Sequence, residues 1–360
     1  MVNNTNRVLL RLNDVFLLYF DFPRATIITA SRTTKDSLCK PMNKLLKASS
    51  VILSLISLLL AALILILEYL PDTTWGISLS YLMLFSPRWW AILVLLSPVV
   101  FLSIMTKWQY LSWALCAVIF VQFQDVQLAL PNQSAGEFTV LSLNNGNGAS
   151  SEQIRTLVAQ LQPDVVFMQE SKPERVGQIF DDSWFSHCDH LCTVSRTPIE
   201  HQGSLSRETF GGWGKFAVFY QTQIGDTTLQ LANIHMDTPR PTINALIHRS
   251  VAAEEFANLH FARNMQASLL ASWAKQQANF IAAGDFNMTT YENIYQRHLA
   301  ELNNAIDIAG SGVNYTKYTS WHGARIDHLL ASKHFEVTRA MVLESMGGDH
   351  RPITVSLNLR

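Results

Sequence analysis

Apolar positions along the chain fall into two regimes. From Ala48 to Leu67 (ASSVILSLISLLLAALILIL) no residue is charged, and at 1.5 Å per residue this run is long enough to cross a bilayer core of about 30 Å. Trp89–Met105 (WWAILVLLSPVVFLSIM) and Trp108–Phe123 (WQYLSWALCAVIFVQF) are also uncharged, and a proline such as Pro98 is tolerated in a membrane helix. Trp75, Trp89, Trp90, Trp108 and Tyr110 stand near the ends of these runs, as interfacial aromatics do. The pattern predicts an all-α transmembrane region over 48–124 with three spans, 48–67, 89–105 and 108–123. Trp75–Phe85 is apolar but too short to cross alone. The first run ends in ILEYLPD, without the small-residue cleavage pattern of a signal peptide, so an uncleaved anchor is expected.

After a linker at 125–137, strand and helix periods replace the long apolar runs. Phe138–Leu143 reads as a strand. Ser150 or Ser151 caps a helix with Ile154, Leu157, Val158 and Leu161 on one face. Val165–Met168 is a short buried-type strand. Phe216–Tyr220 and Thr228–Ile234 flank Gly225-Asp226, a hairpin signal. A long helix is expected from near Ile243 to Gln276, followed by strands at Phe280–Ala283, Ile326–Ala331, Phe335–Leu343 and Ile353–Leu357. Hairpins mixed with strand–helix units predict an α+β (layered α/β) domain over 138–360.

Composition agrees with this division. Of 360 residues, 48% are hydrophobic and only 15% charged, against about 25% charged in ordinary soluble domains. The first 131 residues hold ten of the 27 basic groups and six of the 28 acidic ones, leaving 17 and 22, a net of −5, for the rest. A net-acidic domain lacks the general electrostatic footprint of a nucleic-acid binder. Eight Lys/Arg against three acids precede the first span, which places a basic segment, residues 1–47, in the cytoplasm. Three crossings then put the C-terminal domain on the periplasmic or extracellular side of the cell (inner) membrane. Lys107 fits that arrangement and Arg88 does not. Met42, followed by Asn-Lys-Leu-Leu-Lys and the first span, resembles a natural translation start. Cys188 and Cys192, interleaved with His187 and His190 in HCDHLC, leave a local disulfide and free thiols open; the spacing lacks the form of a zinc module.

The chemistry lies where strands end. Asn144 follows FTVLSL, Glu170 follows VVFMQ, His235 follows LQLANI, and Asp285 and Asn287 follow FIAAG; Asp327 falls in RIDHLLAS, and Asp349 and His350 precede the last strand. Side-by-side strands bring these residues into one cleft. Glu170 and Asp349 suit a hard cation such as Mg²⁺, with Mn²⁺ as the alternative. Asp285 suits activation of water, Asn287 donation to a phosphate oxygen, and His350 paired with Asp327 acid, base or charged-donor work.

LSLNNG, PDVVFMQES, TVSRTPI, LANIHMD, FIAAGDFN, ARIDHLLAS and GGDHRPI together resemble the endonuclease/exonuclease/phosphatase superfamily, from about Phe138 to Leu359. The resemblance implies a four-layer sandwich of two packed β-sheets flanked by helices. It also implies a metal held by Glu170 and Asp349 with Asn144 in support, and catalytic roles for His235, Asp285, Asn287, Asp327 and His350. His328 and Arg263 resemble family positions without an evident role. AP endonucleases carry an aspartate where this chain has Gly146, and basic DNA-docking loops are not evident. Both argue against DNA repair. The expectation is a membrane-anchored, Mg²⁺-dependent phosphoester hydrolase. Its substrate is a nucleic acid, a phospholipid headgroup or a phosphorylated metabolite, and no protein partner is inferable. A non-catalytic binding protein on the same fold is the alternative.

Overall fold

A computed structural model describes residues 32–129, 136–146, 148–250 and 253–360. The proposed start at Met42 concerns the chain's first residues, most of which lie outside these. The chain divides into two compact units, Met1–Ser49 and Ser50–Arg360.

Two six-stranded sheets form the body of the second unit. In order, the first contains Phe335–Val342, Ile353–Leu359, Phe138–Asn144, Val165–Gln169, Leu191–Ser195 and Phe185–Asp189. The second contains Asn303–Asn304, Asp327–Ala331, Phe280–Asp285, Thr227–His235, Lys215–Ile224 and Glu200–Ser206. Each sheet has one parallel pair at its centre, with antiparallel neighbours on both sides. In the first sheet that pair ends with Asn144 opposite Gln169, and in the second with His235 opposite Asp285. Loops leaving the carboxyl ends of parallel strands are where α/β sheets build ligand sites, and here two such ends meet.

Alternation along the strands explains the layers. Val140, Phe167, Val218, Leu231, Ile281 and Leu329 are buried between the sheets. The other face of the first sheet packs Leu141, Val166 and Val194 against Ile154 and Val158 of the helix Ser151–Leu161. The other face of the second packs Ala232, Ile234 and Phe280 against Ala267, Leu270 and Ala274 of the helix Ala253–Lys275. The result is the expected four-layer sandwich. Ser150 is the helix cap, its hydroxyl accepting from the Gln153 amide.

Three features differ from the sequence reading. The helix expected from Ile243 to Gln276 is two helices, Arg240–Ile247 and Ala253–Lys275. Arg249 is left-handed (φ 55°) just past the first, a conformation that ends helices. The hairpin Phe185–Asp189/Leu191–Ser195 and the strand Glu200–Ser206 were not expected, because their histidines and polar residues hide the alternation. Residues 125–137, read as a linker, begin with Asp125, buried in an ion pair with Arg325, and the strand Val126–Leu128, paired with Ser311–Val313.

The apolar region also differs. Among the described residues, one helix, Asn43–Tyr69, is long and apolar enough to cross a membrane. The second expected span is a short α-helix, Trp90–Leu96, running into a 3-10 stretch, Ser97–Ile104. With Thr74–Phe85 it forms a pair bent by 76°, which counts as a crossing only if the bent pair is one broken span. The third is the helix Lys107–Phe123, whose 17 residues stand at the short end of what crosses a bilayer core of about 30 Å. Arg88, the charge out of place in the topology, is buried: it donates to the carbonyls of Leu84 and Phe123 and lies 5.0 Å over the Phe123 ring.

Candidate functional site

The site is assembled from strand ends that local geometry bends toward one another. Gly146 donates its amide to Asn144 Oδ1 (3.0 Å), and Asn287 donates its amide to Asp285 Oδ1 (2.8 Å). Each is a side chain gripping the backbone two residues on, the Asx turn. Glu170 (φ 49°) and Asn287 (φ 50°) are both left-handed, uncommon for residues with a Cβ and a recurrent feature of functional sites. Gly284 (φ 147°) is required where it stands, since a Cβ there would lie 1.9 Å from the Ile234 carbonyl oxygen of the adjacent strand.

Hydrogen bonds tie the two sheets together. Asn144 Nδ2 donates to Glu170 Oε1 (3.2 Å) and to Asp285 Oδ2 (3.0 Å), so one amide bridges the ends of both sheets. His350 Nδ1 meets Asp327 Oδ2 at 2.9 Å, and its Nε2 faces Asp285 Oδ2 at 3.7 Å, too far for a hydrogen bond. His235 Nε2 lies 3.8 Å from both Glu170 Oε1 and Asp285 Oδ2. Asn287 Nδ2 donates to the Met236 carbonyl (2.9 Å), which fixes its amide and, among the described residues, leaves one N–H free. Asp349 pairs with Lys317. Its Oδ1 lies 3.3 Å from where a Cβ on Gly146 would be, beside the Asn144 turn. All eight sequence-predicted residues thus collect at one end of the sandwich.

Burial separates their electrostatics. Asp285 and Asp327 are almost wholly buried, whereas the side chains of Glu170 and Asp349 are 43% and 52% exposed. Burial and the Asp327 charge push the Asp285 carboxyl upward, toward the range of a general base. Burial alone would lower His350, but the carboxylates of Asp327 and Asp285 outweigh it and raise the ring to about 9. Burial, joined by the positive charges of Arg207 and His350, lowers His235 and keeps it neutral. Burial would raise Asp349, and Lys317 more than offsets this.

Asp285, Asp327 and His350 each offer one ligand atom, all within 4.8 Å of one another, a group able to hold a metal ion. Competing with that use, the Asp327–His350 hydrogen bond occupies His350 Nδ1, and a protonated ring has no lone pair to give. Glu170 and Asp349 offer open, hard oxygens of the kind Mg²⁺ prefers.

Several supporting residues escaped the sequence reading. Thr316 accepts the Asp327 amide at 3.0 Å, and Lys317 bridges to His350 through the backbone. Arg207 donates to Asp237 Oδ1 (2.7 Å) and to the His235 carbonyl. Nothing in NYTKYTS or SLSRETF marks these residues, because their partners are distant in sequence. Arg263, whose role was open, is fully buried and donates to Glu292, Tyr81 and the carbonyls of Asp237 and Asn287. His328 is structural: it is buried, with Nε2 on the Met288 carbonyl (2.9 Å) and Nδ1 on Asn304 (3.1 Å). Cys188 and Cys192, cross-strand partners, form a disulfide.

No curated protein sequence matches the chain. Among solved structures, it is similar to an endonuclease/exonuclease/phosphatase from Bacteroides vulgatus, at 15% identity and TM-score 0.48, over 62% of this chain and 99% of that one. Humanized D. rerio TDP2 matches at 16% and 0.46, over 61% and 98%. A mannosyl-6-phosphatase from Bacteroides thetaiotaomicron matches at 18% and 0.46, over 61% and 99%. The family model for the endonuclease/exonuclease/phosphatase family matches residues 140–350, more than half of the chain and a span containing all eight site residues. The chain therefore belongs to the endonuclease/exonuclease/phosphatase family, whose members are hydrolases acting on phosphoester bonds.

Proposed function

We propose that this chain is a divalent-metal-dependent phosphoester hydrolase, with Mg²⁺ as its ion, held at a membrane by its apolar N-terminal helix. The observation that carries the reading is the Asn144 amide joining Glu170 to Asp285, which couples an open carboxylate to a buried one. Glu170 and Asp349 would hold the ion, with Asn144 fixing Glu170. The donor set fits: oxygen atoms, half exposed to water, and no thiolate among these residues. Bound there, a divalent cation supplies polarisation of a phosphoryl oxygen and neutralises charge developing on it.

The remaining work falls to the protein. Asp285, with its raised pKa, orients a water and takes its proton as the water oxygen bonds to phosphorus and the ester P–O bond breaks. Asp327 keeps His350 protonated and aimed, so that its Nε2–H is a charged donor to the phosphate. The free N–H of Asn287 and the neutral ring of His235 hold the phosphoryl and leaving oxygens.

The test is turnover by the full chain of a generic phosphodiester, DNA, phospholipids and inositol phosphates, with Mg²⁺ or with chelator. Activity that is absent on all four, or that persists in Glu170→Ala and Asp285→Ala, refutes the reading.

The division into 1–47, 48–124, 125–137 and 138–360 is part of this proposal, as is a cell-membrane location. Support for the anchor is the helix Asn43–Tyr69, whose Leu55 and Leu59 are exposed (59% and 72%), an apolar surface that water disfavours. Three crossings with an external domain rest on the placement of basic residues alone. A topology reporter fused after Arg360 tests that arrangement, and cytoplasmic activity of the reporter would exclude it.

A further inference from the structure

A second cleft, of about 330 Å³, shares Asn287 and Lys317 with the site described above. Its wall is mainly apolar: Phe85, Ile243, Ile247, Ala324 and Ile326. The cleft that contains Glu170 and His235 also reaches Asn287, and Lys172, Arg207 and Lys215 are among the residues that line it. A phosphate at Asn287 therefore borders both clefts, and the one lined by Phe85 and Ile326 is the more apolar of the two.

The apolar cleft draws one wall from the N-terminal region. Phe85 ends the helix Thr74–Phe85, and His322 Nε2 lies 2.8 Å from the Phe85 carbonyl. The other ring nitrogen of His322 meets Thr319 Oγ1 at 3.0 Å, so this imidazole has no spare group for reading the edge of a nucleobase. Around the cleft, Ile247 is 62% exposed, and Trp321, next in the chain to His322, is 78% exposed. Exposed aromatic and aliphatic groups of this kind suit a membrane interface.

We infer that the substrate is a membrane-lipid phosphoester, with its hydrocarbon chain in the cleft between Phe85 and Ile326 and its headgroup toward Glu170. This inference rests on the phosphoesterase reading and narrows it to one substrate class. The cleft's volume lies at the lower end of the range for ligand pockets, so it holds part of one chain and not a whole lipid. Burying each methylene there strengthens binding up to about fourfold until the cleft is full.

The experiment uses the full chain in nanodiscs of the phosphorus-free lipid digalactosyldiacylglycerol, with empty nanodiscs as the blank. Ethyl 4-nitrophenyl phosphate reports turnover, and alkylphosphonates from ethyl to octyl serve as inhibitors. Their inhibition constants are expected to fall by up to about fourfold per methylene and then level off. Ile247→Glu, at an exposed position that tolerates the change, should flatten the series. Reporter turnover and ethylphosphonate inhibition should stay as in the parent. A rising fraction of phosphatidylglycerol in the nanodisc should compete with octylphosphonate in the parent and not in Ile247→Glu. A flat series with reporter turnover intact overturns the inference and leaves the phosphoesterase reading standing. Chain-length dependence without phosphatidylglycerol competition overturns the assignment to a bilayer lipid. Loss of all turnover refutes the phosphoesterase reading instead, and calorimetric titration of the alkylphosphonates then decides the cleft separately.

Discussion

Arg263 donates from its buried guanidinium to the backbone carbonyl of Asn287 at 2.5 Å. The same guanidinium holds Glu292 at 2.8 and 3.2 Å, and Glu292 Oε1 in turn accepts the Thr289 amide. One cation therefore anchors the loop after GDFN at both ends and holds Asn287 left-handed. Through Tyr81 it also reaches the helix Thr74–Phe85.

Removing that cation leaves the buried Glu292 carboxylate with no cationic partner among the described residues. Arg263→Met is expected to cost about 3–5 kcal/mol of stability, measured by chemical denaturation. Arg263→Lys keeps the charge but cannot make the planar, multidentate contacts. It should still lose turnover, because the Asn287 carbonyl is released. Unchanged stability in Arg263→Met would mean that the Glu292 pair is dispensable.

Asp327 acts on catalysis through His350. Asp327→Asn preserves shape but removes the charge that orients and protonates the ring. By analogy with other carboxylate–histidine pairs, turnover should fall by about 10²–10⁴-fold, well beyond any rise in KM from a weaker His350 contact to the phosphate. Steady-state kinetics on a soluble phosphodiester separate the two parameters. A rise in KM at constant kcat would assign Asp327 to substrate binding.

Glu170 sets function against stability. Its left-handed backbone costs about 1–2 kcal/mol for a residue with a Cβ, and glycine escapes that cost. Glu170→Gly should therefore unfold at higher denaturant than the parent while losing its response to Mg²⁺. Glu170→Gln retains the strain and should need at least about tenfold more Mg²⁺ for half-maximal activity. Metal titration and denaturation of the two variants check both halves; destabilisation of Glu170→Gly would refute the strain argument.

Much of this was legible in the sequence, for a physical reason. A strand's alternation reveals which face is buried, and a polar residue just beyond a buried strand has few places to go except the sheet's end. Asn144, Glu170, His235 and Asp285 follow this rule, and the two parallel strand pairs bring their ends together. Contacts set by tertiary packing were not legible. Arg263 lies on a helix, 29 positions before Glu292 and 182 after Tyr81, and no periodicity encodes such pairings. In the apolar third the local winding of the chain was not legible. Hydropathy counts residues without showing where a helix bends, so Trp89–Met105 read as one span although the chain tightens into a 3-10 stretch at Ser97.

A last prediction concerns pH and the loop that precedes the helix Thr74–Phe85. Asp72 there receives Asn293 Nδ2 at 2.7 Å and Arg297 NH2 at 2.9 Å, and it faces His260 Nε2 at 3.2 Å. Burial lowers the His260 pKa, and the Asp72 charge only partly opposes this. The folded state therefore binds that proton less readily than the unfolded chain, whose histidines titrate near 6.5. Stability should be undiminished above that value and fall as pH drops toward the folded pKa. Burial would raise Asp72, but its bonds to Arg297 and Asn293 prevail and lower it. Its contribution persists above the ordinary carboxylate range and disappears only in stronger acid. Two steps should thus appear, the first from His260 and the second from Asp72. Melting temperatures from about pH 7.5 to 5.5 should fall more steeply for the parent than for His260→Gln, with the two curves converging in slope at lower pH. Parallel curves across the upper window would show that His260 is not the group responsible.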